Sequence, residues 1–275
     1  MDKLIITAAI TGSRIGRDVA PYIPITPEEI ARSAIECWKA GAAIAHIHVR
    51  DRNTGLGTQD IGLFREVVRP LREKTDLLLC LTTSGIPGRN LPIEDRLGPL
   101  ELQPELASFD AGSINLGGAT FSNPPEFLDR AAERMKEKEV KPELEIFDAG
   151  MIMAVLRMRD EGKLNEPLYF QFVLGTPWGA PATPKSLLYL HELIPQGASW
   201  SVIGAGRAQL SMAMMGLIMG GHIRVGMEDN IYLKRGVPAR SNAQFVERVV
   251  RIAQEYGREV ASPNEARTIL GLSRR

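Results

Sequence analysis

The sequence predicts an α/β protein, a (β/α)₈ TIM barrel, and three observations carry that prediction. Short apolar, β-branched runs recur eight times along the 275 residues, as expected for parallel strands covered on both faces. Each run is followed by a polar, helix-forming stretch, which is the alternation of strand–helix units joined by short connections. The length also suits such a barrel, which needs roughly 250 residues. An open doubly wound sheet shares the alternation, because period alone does not reveal closure.

In order, the strands are read at Leu4–Ile10, Ala43–Val49, Leu77–Thr83, Leu106–Ala111, Glu143–Phe147, Leu168–Leu174, Ser199–Ile203 and His222–Met227. Helices fill the gaps. Thr26 is placed to cap the first, with Pro27 at its first position, Glu28 and Glu29 in the first turn, and Gly41 closing it. Asn123-Pro124-Pro125-Glu126 repeats that logic ahead of Phe127–Glu139. Ser241–Gly257 carries Phe245, Val249 and Ile252 near helical spacing, and Ser262–Leu270 reads as a last short helix. Gly85–Asn90 reads as a long loop. No linker or low-complexity stretch interrupts the series, so residues 1–275 are read as one catalytic domain.

Hydrophobic residues at 44% and charged residues at 24% are ordinary for a globular protein. Lys plus Arg and Asp plus Glu both number 33, which gives no global reason to expect a nucleic-acid or anionic-membrane partner. Local clusters remain able to attract a small anion. Cys37 and Cys80 lie far apart and form no CxxC unit, so neither a disulfide framework nor a thiolate metal site is expected. The start, Met-Asp-Lys-Leu-Ile-Ile-Thr, does not read as a signal peptide. No apolar run reaches the roughly 18 residues of a membrane span. The expectation is a reduced, soluble, cytoplasmic protein.

The chemistry concentrates at strand ends. His46 and His48 flank Ile47 at the end of the second strand. Residues i and i+2 of a strand share a face, so both imidazoles can converge on one ion. The C-terminal end of a barrel strand is also where such enzymes keep their active sites. Taken alone, an HxH pair is as readily two hydrogen-bonded histidines. Glu228 follows the eighth strand, which neighbours the first in a closed barrel, as the second does. Two imidazoles and a carboxylate make a zinc set with an open position, although Fe²⁺ and Mn²⁺ accept the same ligands. His222 opens the eighth strand at the opposite end and His191 sits in a helix, so both are read as structural.

Other polar groups gather nearby. Thr82, Thr83, Ser84 and Gly85 end the third strand, and Ser108 and Asp110 end the fourth. Glu143 and Glu145 alternate on the fifth, where one of them is expected to face the interior and need a partner. Arg224 precedes Glu228 by four residues, and Asp229 follows it. An Arg beside an Asp combines an anion clamp with a general base, or else forms a structural ion pair.

Five segments in order, Thr7–Gly12, His46-Ile47-His48-Val49-Arg50, Asn115-Leu116-Gly117, Gln171–Gly175 and Gly221–Asn230, resemble the β-keto acid cleavage enzyme family, from about Leu4 to Leu270. The resemblance implies a zinc-dependent (β/α)₈ barrel that reacts a β-keto acid with acetyl-CoA, giving acetoacetate and a new acyl-CoA. It implies His46, His48 and Glu228 as metal ligands, and Arg224 with Asp229 for proton abstraction. Thr82, Gly85 and Ser108 are implied as carboxylate-binding groups, with Glu145 a further candidate contact. It also implies a homo-oligomer, with a tetramer favoured and Trp178 among the apolar residues available to an interface. Members acting on an amino-bearing substrate carry an acid where this chain has Arg14. That change points to a dicarboxylic β-keto acid such as 3-oxoadipate. A metal-dependent carbon–carbon lyase or aldolase without CoA exchange shares the same ligands, and a non-catalytic metal-binding barrel is the alternative outside enzymes.

Overall fold

A computed structural model describes residues 2–86 and 88–272. Eight parallel strands close into a barrel: β1 (Ile6–Ala9), β2 (Ile44–Ile47), β3 (Leu78–Leu81), β4 (Leu106–Asp110), β5 (Lys141–Ile146), β6 (Tyr169–Leu174), β7 (Ser199–Gly204) and β8 (His222–Val225). Each pairs with its neighbours in sequence, and β8 returns to β1 with Arg224 opposite Thr7. Closure excludes the open sheet. All eight expected strands are present, most of them trimmed at their ends.

The helices are α1 (Pro27–Lys39), α2 (Ile61–Lys74), α3 (Ile93–Leu97), α4 (Pro125–Glu137), α5 (Ala149–Asp160), α6 (Pro184–Leu193), α7 (Gln209–Ile218), α8 (Ala243–Tyr256) and α9 (Pro263–Ile269). Thr26 and Glu29 form a reciprocal capping box on α1, and Ser262 with Glu265 forms another on α9. Asn123 does not cap α4. Its side chain accepts from Arg96 and donates to the Gly112 carbonyl, tying two loops together. Asn242, before α8, is likewise drawn inward, accepting the Met227 N–H and donating to the Ile10 carbonyl. Of the expected loop Gly85–Asn90, Pro87 lies outside the described residues, and the others adopt neither helix nor strand.

Strand alternation sorts the core. Ile6, Ala8, Ala45 and Leu79 point outward to pack on Ile30, Ala34 and Phe64 of α1 and α2. Ile5, Ile44, Leu78, Leu106 and Tyr169 point inward, where Ala261, Ala266 and Leu270 from the α9 region close the N-terminal end. Two polar residues are buried near that end. His222 Nδ1 accepts the Ile5 N–H at 3.1 Å, and Arg258 donates to the carbonyls of Asp2, Leu217, Gly220 and Gly221.

The C-terminal end carries three antiparallel hairpins that sequence reading did not foresee, following β2 (Val49–Arg50 with Gly57–Thr58), β4 (Ile114–Leu116 with Ala119–Phe121) and β8 (Tyr232–Lys234 with Val237–Pro238). Arg50, fully buried, donates to the carbonyls of Thr11, Gly12, Ile15 and Gly55, stapling the loop after β1 to the hairpin after β2. Among the described residues no helix is long and apolar enough to cross a membrane.

Candidate active site

His46 and His48 converge as alternation requires. Their Nε2 atoms lie 3.4 and 3.3 Å from one oxygen of Glu228, and the three candidate ligand atoms fall within 4.8 Å of one another. Glu228 arrives by a different route from the one expected. Strand β8 stops at Val225, and Gly226 turns the chain at φ 150°. A Cβ at Gly226 would run into the Ala9 carbonyl, so glycine is required for the turn to pass over the end of β1. The turn is held by Asp229 and Asn230 N–H groups on the Gly226 carbonyl. It brings two consecutive acids, which a straight strand would send to opposite faces, onto the same side.

Arg224 sits at the centre of those acids. Its Nη2 lies 2.7 Å from Glu228 Oε1, its Nε 3.0 Å from Asp229 Oδ2, and its Nη1 3.2 Å from Glu145 Oε1. Burial works against the Arg224 charge, but Asp229, Glu228 and Glu145 outweigh it and hold the guanidinium firmly protonated. Burial also pushes Glu228 up, and Arg224, His48 and His46 together reverse this, leaving the carboxyl well below its usual range. Burial, assisted by Arg224, pulls His46 down to about 4. Asp229 is raised by burial, despite Arg224, and Glu145 is raised by burial and by Asp110.

These residues fit a divalent ion. A neutral imidazole and an ionised carboxylate are the forms that bind metal. With ligand bonds of about 2.1 Å, two donors of a tetrahedral zinc site lie about 3.4 Å apart, close to the separations found here. Glu228 Oε2 is buried without a partner among the described residues, which do not satisfy the carboxylate by themselves.

The cluster opens into a cavity of 370 Å³ lined by His48, Gly85, Glu145, Arg224, Glu228 and Asp229, with Arg14 on its rim. Arg14 donates to the carbonyls of Leu116 and Gly117 at 3.2 and 2.9 Å, from the hairpin after β4. Gly117, at φ 58°, has no side chain to displace the guanidinium lying against it. Thr82 and Ser108 are fully buried, and neither lines the cavity. The Thr82 hydroxyl accepts the Ser84 N–H, and that of Ser108 accepts the Thr83 N–H. Ser84 lines the cavity instead, donating to Asp110 at 2.7 Å. Asp110 was legible as a site residue, being two positions beyond Ser108 on the same face of β4.

Glu143 and Glu145 both face inward, correcting the expectation that one would. Glu143 ends a buried chain in which Ser201 donates to Gln171, Gln171 donates to one Glu143 oxygen and Cys80 to the other. His222 and His191 stand apart from the site, His191 with its ring 4.9 Å from Trp200. Trp178 is exposed on the loop after β6, beside the cavity-lining Pro177.

Comparison with known proteins adds a second line. The family model described as beta-keto acid cleavage enzyme matches residues 3–272. The 3-keto-5-aminohexanoate cleavage enzyme of Fusobacterium nucleatum is 45% identical, with 100% of both chains covered. The 3-oxoadipate:acetyl-CoA acetyltransferase of Cupriavidus necator is 38% identical over 98% of this chain and 94% of its own. Among solved structures, apo ObcA superposes with a TM-score of 0.82 at 21% identity, over 92% of this chain and 66% of that one, a likeness of fold.

Proposed function

The chain belongs to the β-keto acid cleavage enzyme family, and from that premise we propose that it converts a β-keto acid and acetyl-CoA into acetoacetate and a new acyl-CoA. The observation that carries this reading is the joining of two devices in one cavity: a three-ligand cluster, His46, His48 and Glu228, and the Arg224–Asp229 pair beside it. A divalent ion held there, zinc by preference, supplies Lewis-acid polarisation of the keto acid's oxygens.

Asp229 accepts the proton from the carbon between the two carbonyl groups. Arg224 grips both Asp229 oxygens, at 3.0 and 3.2 Å, which fixes their direction and stabilises the carboxylate form. The resulting carbanion displaces CoA from the acetyl thioester. The CoA thiolate then attacks the substrate's original ketone, and the bond to the central carbon breaks. Acyl-CoA leaves, and the proton returns to acetoacetate. Gly85 lines the same cavity and offers a backbone N–H to the substrate carboxylate. Thr82 and Ser108 support that loop from within.

The finer reading is a dicarboxylic substrate such as 3-oxoadipate, which would yield succinyl-CoA. Arg14 on the cavity rim supports it, since two backbone carbonyls hold the guanidinium and leave further N–H groups for a distal carboxylate. Turnover of 3-oxoadipate, neutral β-ketohexanoate and 3-keto-5-aminohexanoate, each with and without acetyl-CoA, tests both levels. We expect acetoacetate release only with acetyl-CoA, 3-oxoadipate preferred, and that preference lost in Arg14→Glu. Cleavage without acetyl-CoA would mark a lyase, and preference for the amino substrate would remove the Arg14 argument. A cytoplasmic homotetramer of single-domain chains completes the proposal. Light scattering reads its assembly state, and a monomer at micromolar concentration would refute it.

A further inference from the structure

A second cavity, of 1250 Å³, adjoins the first, and Ile15 and Asp229 belong to the walls of both. It lies between the loop after β7, helices α7 and α8, and the hairpin after β8. Four cations line it: Arg207, Lys234, Arg235 and Arg248. Among the described residues, none of the four pairs with a carboxylate or donates a side-chain hydrogen bond. The single acid among the described residues of its wall, Asp229, is already held by Arg224.

This grouping stands out in a chain whose formal charges cancel. Several surface arginines elsewhere are matched, Arg17 with Glu29, Arg52 with Glu28 and Glu66, Arg130 with Glu94 and Glu133. Here positive charge is left unneutralised at the mouth of the reaction cavity, where it attracts anions. Part of the remaining wall is apolar, with Leu210, Ala213, Phe245 and Val249, and Tyr232 is exposed on the hairpin. The loops after the seventh and eighth strands are also where barrels frequently bind phosphate.

We propose that this cavity receives the CoA part of acetyl-CoA, with Arg207, Lys234, Arg235 and Arg248 facing its phosphates. The inference rests on the acetyl-CoA reading above. A multiply phosphorylated head joined to a long, mostly uncharged arm matches a cationic mouth and an apolar wall. The shared wall at Ile15 and Asp229 sets the direction, with the thioester entering the first cavity beside the proton acceptor. The reactive segment is also tied to the phosphate-facing loops. Gly206 N–H donates to the Asp229 carbonyl at 2.7 Å, and Asn230 bonds both backbone groups of Tyr232.

Calorimetry on the metal-loaded protein tests this, with CoA, 3′-dephospho-CoA and inorganic phosphate as probes. The unmodified protein should bind CoA, bind 3′-dephospho-CoA about tenfold more weakly, and lose affinity as salt rises. Arg207→Ala, Arg248→Ala and the Lys234→Ala/Arg235→Ala double variant should each weaken CoA about tenfold or more and raise KM for acetyl-CoA far more than KM for the keto acid. Lys234 and Arg235 are exposed, so the double variant is expected to fold normally. CoA binding that survives in all three variants would overturn the site while leaving the reaction intact. Inorganic phosphate binding as tightly as CoA would also overturn it. Failure of the unmodified protein to bind CoA would remove both the site and the acetyl-CoA reading.

Discussion

The two ends of the barrel are built from the same residue types and use them in opposite ways. At the N-terminal end, His222 and Arg258 are buried against backbone: the imidazole accepts an N–H, and the guanidinium donates to four carbonyls. At the C-terminal end, His46 and Arg224 are buried and His48 half-buried against charge, with Glu145, Glu228 and Asp229 crowded around them. The first arrangement is complete in itself. The second leaves Glu228 Oε2 and His46 Nδ1 without partners among the described residues. A buried polar group without a partner is costly, whereas one bonded to backbone is close to neutral. Burial of a histidine therefore says little about its role, and the character and completeness of its surroundings say much more.

Removing ligands should separate the ends most sharply. The unmodified protein is expected to carry about one divalent ion per chain, read by elemental analysis, and His46→Ala or Glu228→Gln should lose both the ion and turnover. Full metal content in both variants would refute the ligand set. Asp229→Asn should be milder, keeping the metal while exchange of the acidic substrate hydrogens in deuterated buffer drops about 10²–10⁴-fold. Unchanged exchange would move the proton acceptor elsewhere, with Glu145 or Glu143 next.

At the other end the effect should be on stability alone. His222→Leu leaves the Ile5 N–H unpaired and should cost about 1–3 kcal/mol in denaturant unfolding, with metal content unaltered. Burial and Arg258 hold the His222 imidazole down at about 3, whereas in the unfolded chain it titrates near 6.5. Between those values the unfolded chain takes up a proton that the folded one refuses. Stability should therefore fall as pH drops below about 6.5, with His222 contributing up to about 1.4 kcal/mol per pH unit. In His222→Leu that part of the acid slope should vanish. An unchanged slope would show that His222 is not the group responsible.

The strands and the convergence of His46 with His48 were legible because both depend on local periodicity. Apolar runs mark strands covered on both faces, and the spacing of His46 and His48 puts them on one face whatever the rest of the chain does. Position along the strand also distinguished His222 from His46. What escaped depends on partners distant in sequence. Asn123 and Asn242 stand where caps belong, yet loops packed against them draw their side chains inward. Thr82 and Ser108 have hydroxyls suited to a carboxylate, yet neighbouring N–H groups occupy them. Cys80, Glu143, Gln171 and Ser201 each announce only an inward face, and their linkage exists because four strands meet. The turn at Gly226 was hidden too, since its reason is the end of a strand more than two hundred residues earlier.

The Arg50 staple bears on how such a catalyst diversifies. It grips the carbonyls of Thr11, Gly12 and Ile15, groups present whatever side chains the loop carries. The path of the loop is thus decoupled from the identity of Ser13 and Arg14, which sit between the anchored positions. Residue 14 can change without disturbing His46, His48, Glu228 or the barrel beneath. A scaffold with that division can explore new substrates by single replacements, because the adjustable position and the rigid one are held by different atoms.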